Sequence, residues 1–149
     1  MPRNIKKIVA AKFRRDGNNL KQTFLIDSAP KSIISLLHQI QQELNHVIEN
    51  PIIFYFDNDN QWYLLSDKRI VEQKEKELFS VDMSDISAIN SLLHKENFIE
   101  EKKGGFDYIE LRLKDGSNHK LKLEKSSFSL IDGIISFLID NVGKDNVSN

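Results

Sequence analysis

The sequence predicts an α+β fold: a succession of antiparallel strands followed by a C-terminal helix and preceded by an N-terminal β-hairpin plus helix. Three observations carry this. Short runs of β-branched and aromatic residues follow one another through the middle of the chain, separated by polar breaks. Two longer stretches place apolar residues at helical spacing. The 149 residues are 40% hydrophobic and 29% charged, with nine Phe, three Tyr and one Trp, enough apolar volume for a folded core.

The first segment, Ile5-Lys6-Lys7-Ile8-Val9-Ala10-Ala11-Lys12-Phe13, is rich in β-branched residues and reads as a strand. Arg14-Arg15-Asp16-Gly17-Asn18-Asn19 reads as a hairpin turn, because Gly and Asn tolerate positive φ, with a return strand from Leu20 to Ile26. A helix follows. Ser28 is its expected cap, Pro30 suits its first turn, and Ile33, Leu37, Ile40, Leu44 and Val47 form its apolar stripe. Asn50-Pro51 ends it.

Successive strands are expected at Ile52–Phe56, Gln61–Leu65, Lys68–Lys74, Glu77–Val81 and Met83–Ile89, with the charged break Glu75-Lys76 between the third and fourth. In residues 91–105, Ser91–His94 suits a helical turn and Lys102-Lys103-Gly104-Gly105 a loop. The clearest hairpin comes next. Tyr108–Leu113 and His119–Glu124 alternate apolar and polar residues around Asp115-Gly116-Ser117-Asn118. Its buried face holds Ile109, Leu111, Leu113, Leu121 and Leu123; Glu110, Arg112, Lys120 and Lys122 face solvent. A last helix spans Ser127 to Val142, with Gly143 as its C-cap and Gly133 leaving room for close packing on a sheet. Both ends of the chain thus read as strand, Asp-Gly turn, strand and helix. The predicted organisation is an N-terminal hairpin-helix element (1–50), a main domain (51–143) and a frayed tail (144–149).

Cysteine is absent, which excludes a disulfide framework and thiolate chemistry. The opening residues lack the apolar run of a signal peptide, and no apolar stretch approaches a membrane span, so a cytoplasmic location is expected. Net charge is −1, but residues 1–26 carry +6 and the remainder −7. A basic N-terminal element on an acidic body suits a phosphate or an acidic partner; equally, the two parts attract each other.

The run Tyr63-Leu64-Leu65-Ser66-Asp67-Lys68-Arg69-Ile70-Val71, followed by Val81-Asp82-Met83-Ser84-Asp85-Ile86-Ser87-Ala88-Ile89, resembles a bacterial PH-like (GRAM-like) domain. The resemblance covers residues 62–140, taking in the late hairpin and the final helix. It implies a strongly bent antiparallel sheet, or partly open barrel, whose open end is capped by the C-terminal helix. It also implies binding of proteins, peptides or lipids, with no shared catalytic residues.

The sequence carries no recognisable catalytic or metal-binding motif. His38 and His46 are eight residues apart on one expected helix, so no His-Glu-x-x-His metal motif exists, and His94 and His119 stand apart from them. His119, at a hairpin entry, is expected to be exposed. Asp57-Asn58-Asp59-Asn60 begins like a calcium loop, but Trp62 and Lys68 occupy the positions that need Gly and an acid. No phosphate-binding glycine loop or Gly-x-Ser-x-Gly string occurs. Ser126, Ser127 and Ser129 suit helix capping, and Glu100-Glu101 beside Lys102-Lys103 reads as a solvated face. No cofactor and no metal are expected.

The candidate ligand contacts are Lys12, Arg14, Arg15 and Lys21, cations placed around the expected N-terminal turn where phosphate oxygens can meet them. The same pattern also describes a solvated turn. Nucleic acid is disfavoured, since only Phe13 and Phe24 lie among these cations and both read as core. Three functions stay open: a non-enzymatic module binding a protein partner at a sheet edge or at the open barrel rim; an immunity protein neutralising a basic toxin; and peripheral binding of anionic lipid or phosphate through the N-terminal hairpin.

Overall fold

The first element is a helix, α1 (Ile5–Asp16), where the sequence predicts a strand. The computed structural model describes residues 4–44, 48–90 and 107–147. Ile5, Val9 and Phe13 recur every four residues, and with Ala10 they form one apolar stripe against the core. β-Branched content was the misleading signal, since burial of this stripe outweighs a propensity cost of only about 0.5 kcal/mol per residue. Asn4 caps the helix by accepting from the Lys7 amide at 3.0 Å. Arg14 and Arg15 sit in the last turn, where they complement the helix dipole. The expected hairpin therefore does not form, and the likeness between the two ends of the chain is lost with it.

Strand β1 (Thr23–Leu25) is shorter than the expected return strand. A 3-10 turn, Ile26–Ser28, leads to α2 (Lys31–Leu44), whose first turn is closed by the Pro30 carbonyl and not by Ser28. Four strands then meander: β2 (Pro51–Asn58), β3 (Gln61–Ser66), β4 (Arg69–Lys74) and β5 (Glu77–Asp82). Asn50, at φ 52°, makes the bend into β2, and Glu75, at φ 55°, sits in the tight turn between β4 and β5. The Ser66-Asp67-Lys68-Arg69 motif is the β3–β4 turn. Ser66 Oγ accepts from the Arg69 amide at 2.9 Å and the Lys68 amide at 3.3 Å, which holds the turn closed.

A 3-10 turn, Met83–Asp85, occupies the start of the expected fifth strand of the series and passes the chain to a second sheet. That sheet contains β6 (Ile86–Asn90), β7 (Tyr108–Leu113) and β8 (Asn118–Lys122). The expected features of residues 91–105, including His94 and Glu100–Lys103, lie outside the described residues, as does His46. The last element, α3 (Phe128–Val147), runs past Gly143, which stays helical.

The strands form two antiparallel sheets, of order β1-β2-β3-β4-β5 and β6-β7-β8, and these do not close into a barrel. This is the antiparallel α+β class the sequence predicts, with helices at both ends of the chain. β1 joins the larger sheet, and α1 shares its hydrophobic cluster with β2, β3, the smaller sheet and α3.

The larger sheet is covered on both faces. Phe54, Leu64, Val71 and Trp62 pack under Leu37 and Ile40 of α2. On the other face, Ile53, Leu65 and Ile70 pack with Leu111 and Leu121 of the smaller sheet and with Ile131, Ile134, Ile135 and Leu138 of α3. Each such buried side chain contributes about 1.5–3 kcal/mol. No helix among the described residues is long and apolar enough to cross a membrane.

Gly133 does not press on a sheet. A Cβ there would lie 2.6 Å from Lys12 Nζ, so the glycine makes room for the α1 lysine. Gly17 is the less forgiving site: its Cβ would meet the Phe13 carbonyl, which is fixed backbone, at 2.8 Å and Leu130 Cδ2 at 3.0 Å.

Candidate interaction site

In-register antiparallel residues share a face. Thr23, Tyr55, Tyr63, Glu72 and Phe79 are successive partners across all five strands, so they form one row on the face turned to the smaller sheet. This row is polar in the middle of an apolar interface. Glu72 is completely buried. Its Oε1 lies 2.6 Å from His119 Nε2, while Oε2 accepts from the Lys122 amide at 2.8 Å and Gln61 Nε2 at 3.2 Å. The His119 ring stacks on Phe79 with centroids 3.5 Å apart and planes within 6°. His119 is thus not the exposed residue the sequence suggests; its side chain is 18% exposed.

The other end of the row is held by Glu124, just beyond β8. Its carboxylate accepts from Thr23 Oγ1 at 2.8 Å and from the Lys21 and Gln22 amides at 2.8 and 3.0 Å. Between the two carboxylates stand Tyr55 and Tyr63, rings 5.2 Å apart. Burial, with Asp57 and Glu124 nearby, pushes the Tyr55 hydroxyl up to about 12. Burial drives Tyr63 well above its ordinary value, and its fully buried hydroxyl has no hydrogen-bond partner among the described residues.

This arrangement decides which strand edges are open. The Leu123 amide donates to the Asp107 carbonyl and the Leu113 amide to the Ser117 carbonyl, so the alternating ladder turns the backbone groups of Lys120 and Lys122 outward. Glu72 takes the Lys122 amide and Lys74 Nζ reaches the Lys120 carbonyl at 3.4 Å, so the β8 edge is capped by side chains of β4. β6 is interrupted by a register shift between Ile86 and Ala88, and β1 has three residues. Bulges and short strands are the usual protection of an edge.

β5 has neither. Its six residues pair with β4 without a break in register. Met83 donates to the Lys68 carbonyl, which fixes the ladder so that Val81, Phe79 and Glu77 bond to β4. The amides and carbonyls of Leu78 and Ser80 therefore point away from the sheet, as does the amide of Asp82, whose carbonyl opens the 3-10 turn Met83–Asp85. Among the described residues no strand pairs with that edge. Leu78 is 48% exposed and Phe79, on the opposite face, is partly exposed. Asp82 is held by Arg69 through Nε at 2.9 Å and Nη2 at 2.7 Å.

The cations singled out from the sequence are not gathered on a hairpin. Lys12, Arg14 and Arg15 lie on α1, where 100° per residue sets Arg14 on the side away from Lys12. Lys12 lies against α3 beside Gly133 and Asp132. Arg15 pairs with Asp16 at 3.1 Å, and Lys21, in the link to β1, gives its amide to Glu124. The sequence reading missed Glu72, Glu124 and the edge of β5. One signal was available: alternation in Ile70-Val71-Glu72 puts Glu72 on the same face as buried Ile70.

The chain matches no protein-family model and no curated protein sequence.

Proposed function

We propose that this chain is a non-enzymatic binding module that holds an extended segment of a protein partner along β5. The carrying observation is the edge of that strand, whose outward amides and carbonyls at Leu78 and Ser80 have the alternation an added strand requires. Backbone pairing supplies affinity there, and Leu78 and Phe79 supply side-chain contacts on the two faces. The same class of function is what the sequence resemblance of residues 62–140 to PH-like domains implies, since members of that family bind proteins, peptides or lipids.

The test is selection from a displayed library of random peptides, run in parallel on the wild-type protein and on Ser80→Pro. Proline removes an outward amide that the β4–β5 ladder does not use, so the fold is retained. Peptides enriched on the wild type and lost on the variant support the module. Failure to enrich any peptide, or equal enrichment on both proteins, overturns it.

A further inference from the structure

We infer that the β5 edge takes β5 of a second copy of this chain, antiparallel, with Phe79 on the two-fold axis. The inference rests on the reading of β5 as an open pairing edge and names the partner. An edge strand pairs with itself only if its two halves suit each other when reversed. With Phe79 opposite Phe79 of the other copy, Leu78 meets Ser80, Glu77 meets Val81 and Lys76 meets Asp82. The last pair occurs twice, placing opposite charges at both ends of the junction. Parallel pairing would set Lys76 against Lys76 and Asp82 against Asp82. Both Arg69 contacts fall on Oδ1 of Asp82, which leaves Oδ2 for the incoming lysine.

The ladder parity agrees. Leu78 and Ser80 carry the outward amides and carbonyls, and in this register each faces the other across the junction. Phe79 then sits in a non-hydrogen-bonded pair, where side chains approach most closely and an aromatic pair is favourable. Pairing also covers both faces of β5 at once. Leu78 lies on the α2 side and Phe79 on the side of the smaller sheet, and each retains exposed surface. The polar row would run on through the junction, from Glu72 and Phe79 of one copy to Phe79 and Glu72 of the other.

Sedimentation over a range of protein concentrations tests the inference, joined to cross-linking. The chain has no cysteine, so Phe79→Cys introduces the sole thiol. The wild type is expected to form a concentration-dependent dimer. Ser80→Pro should remain a monomer with an unchanged far-ultraviolet spectrum. Mild oxidation should convert Phe79→Cys to a disulfide-linked dimer much faster than Leu78→Cys, because only position 79 faces itself. A wild type that stays monomeric throughout overturns self-pairing, and so does a dimer untouched by Ser80→Pro. Faster linkage through Leu78→Cys overturns it too. These outcomes are separable from the wider reading: a monomer that still selects peptides in a manner lost on Ser80→Pro keeps the module and loses only the second copy.

Discussion

Glu72 of β4 and His119 of β8 meet 2.6 Å apart between the two sheets, and the imidazole that makes this contact lies flat on Phe79 of β5. One buried carboxylate thereby joins three strands of two sheets. It also accepts the outward amide of Lys122, so the same group that ties the sheets together closes the edge of β8.

Removal of that carboxylate should be expensive. Glu72→Ala leaves the His119 ring, the Lys122 amide and the Gln61 amide without their acceptor, and a loss of about 3 kcal/mol is expected in urea unfolding. Glu72→Ala and His119→Ala should not be additive. A double-mutant cycle is expected to give a coupling of about 0.5–3 kcal/mol, and additivity would mean that the pair contributes nothing.

Tyr63 offers the opposite expectation. Its hydroxyl is buried and unpartnered among the described residues. Tyr63→Phe removes a desolvated group and leaves the ring packing intact, so stability should rise by about 1 kcal/mol. A loss of that size on thermal or chemical unfolding would show that the hydroxyl has a bonding partner in solution.

The two close-packed glycines should respond differently to alanine. At Gly17 the added methyl meets backbone oxygen and the Leu130 side chain, neither of which can yield cheaply, and a cost of about 1–3 kcal/mol is expected. At Gly133 it meets the end of the Lys12 side chain, which can swing into solvent. There the gain in helix propensity, about 1 kcal/mol, should leave Gly133→Ala neutral or more stable. Equal losses at both positions would contradict this account.

Asp132 gives a pH dependence with a definite sign. Burial raises its carboxyl above the ordinary value of 3.8, and Lys12 only partly opposes that. The folded state therefore holds this proton more tightly than the unfolded chain does. The Asp132 contribution to stability is full below 3.8 and is lost as pH rises through the elevated folded value. Asp132→Asn should match the wild type in acid and exceed it at neutral pH. If the two unfolding curves differ most in acid, the sign is wrong.

Much of the scaffold was legible in the sequence, because it was written locally. Alternation in Tyr108–Leu113 and the run Ile52–Phe56 each mark a strand without reference to any other segment. The stripe Ile131, Ile134, Ile135 and Leu138 marks a helix in the same way. α1 shows the limit. Ile8 and Val9 favour a strand by composition, and only the spacing of Ile5, Val9 and Phe13 favours a helix, so the choice fell to the surface on which that stripe could be buried.

The amino-acid order alone determined the antiparallel α+β class, the succession of strands and the amphipathic helices, since those depend on residues a few positions apart. Tertiary structure alone decided that Glu72 would meet His119, that Lys12, Arg14 and Arg15 would be dispersed around a helix, and that β5 would be the open edge. The physical reason is that each of these depends on which segment packs against which. Register across a sheet is fixed by the burial of whole faces, and no local spacing encodes it.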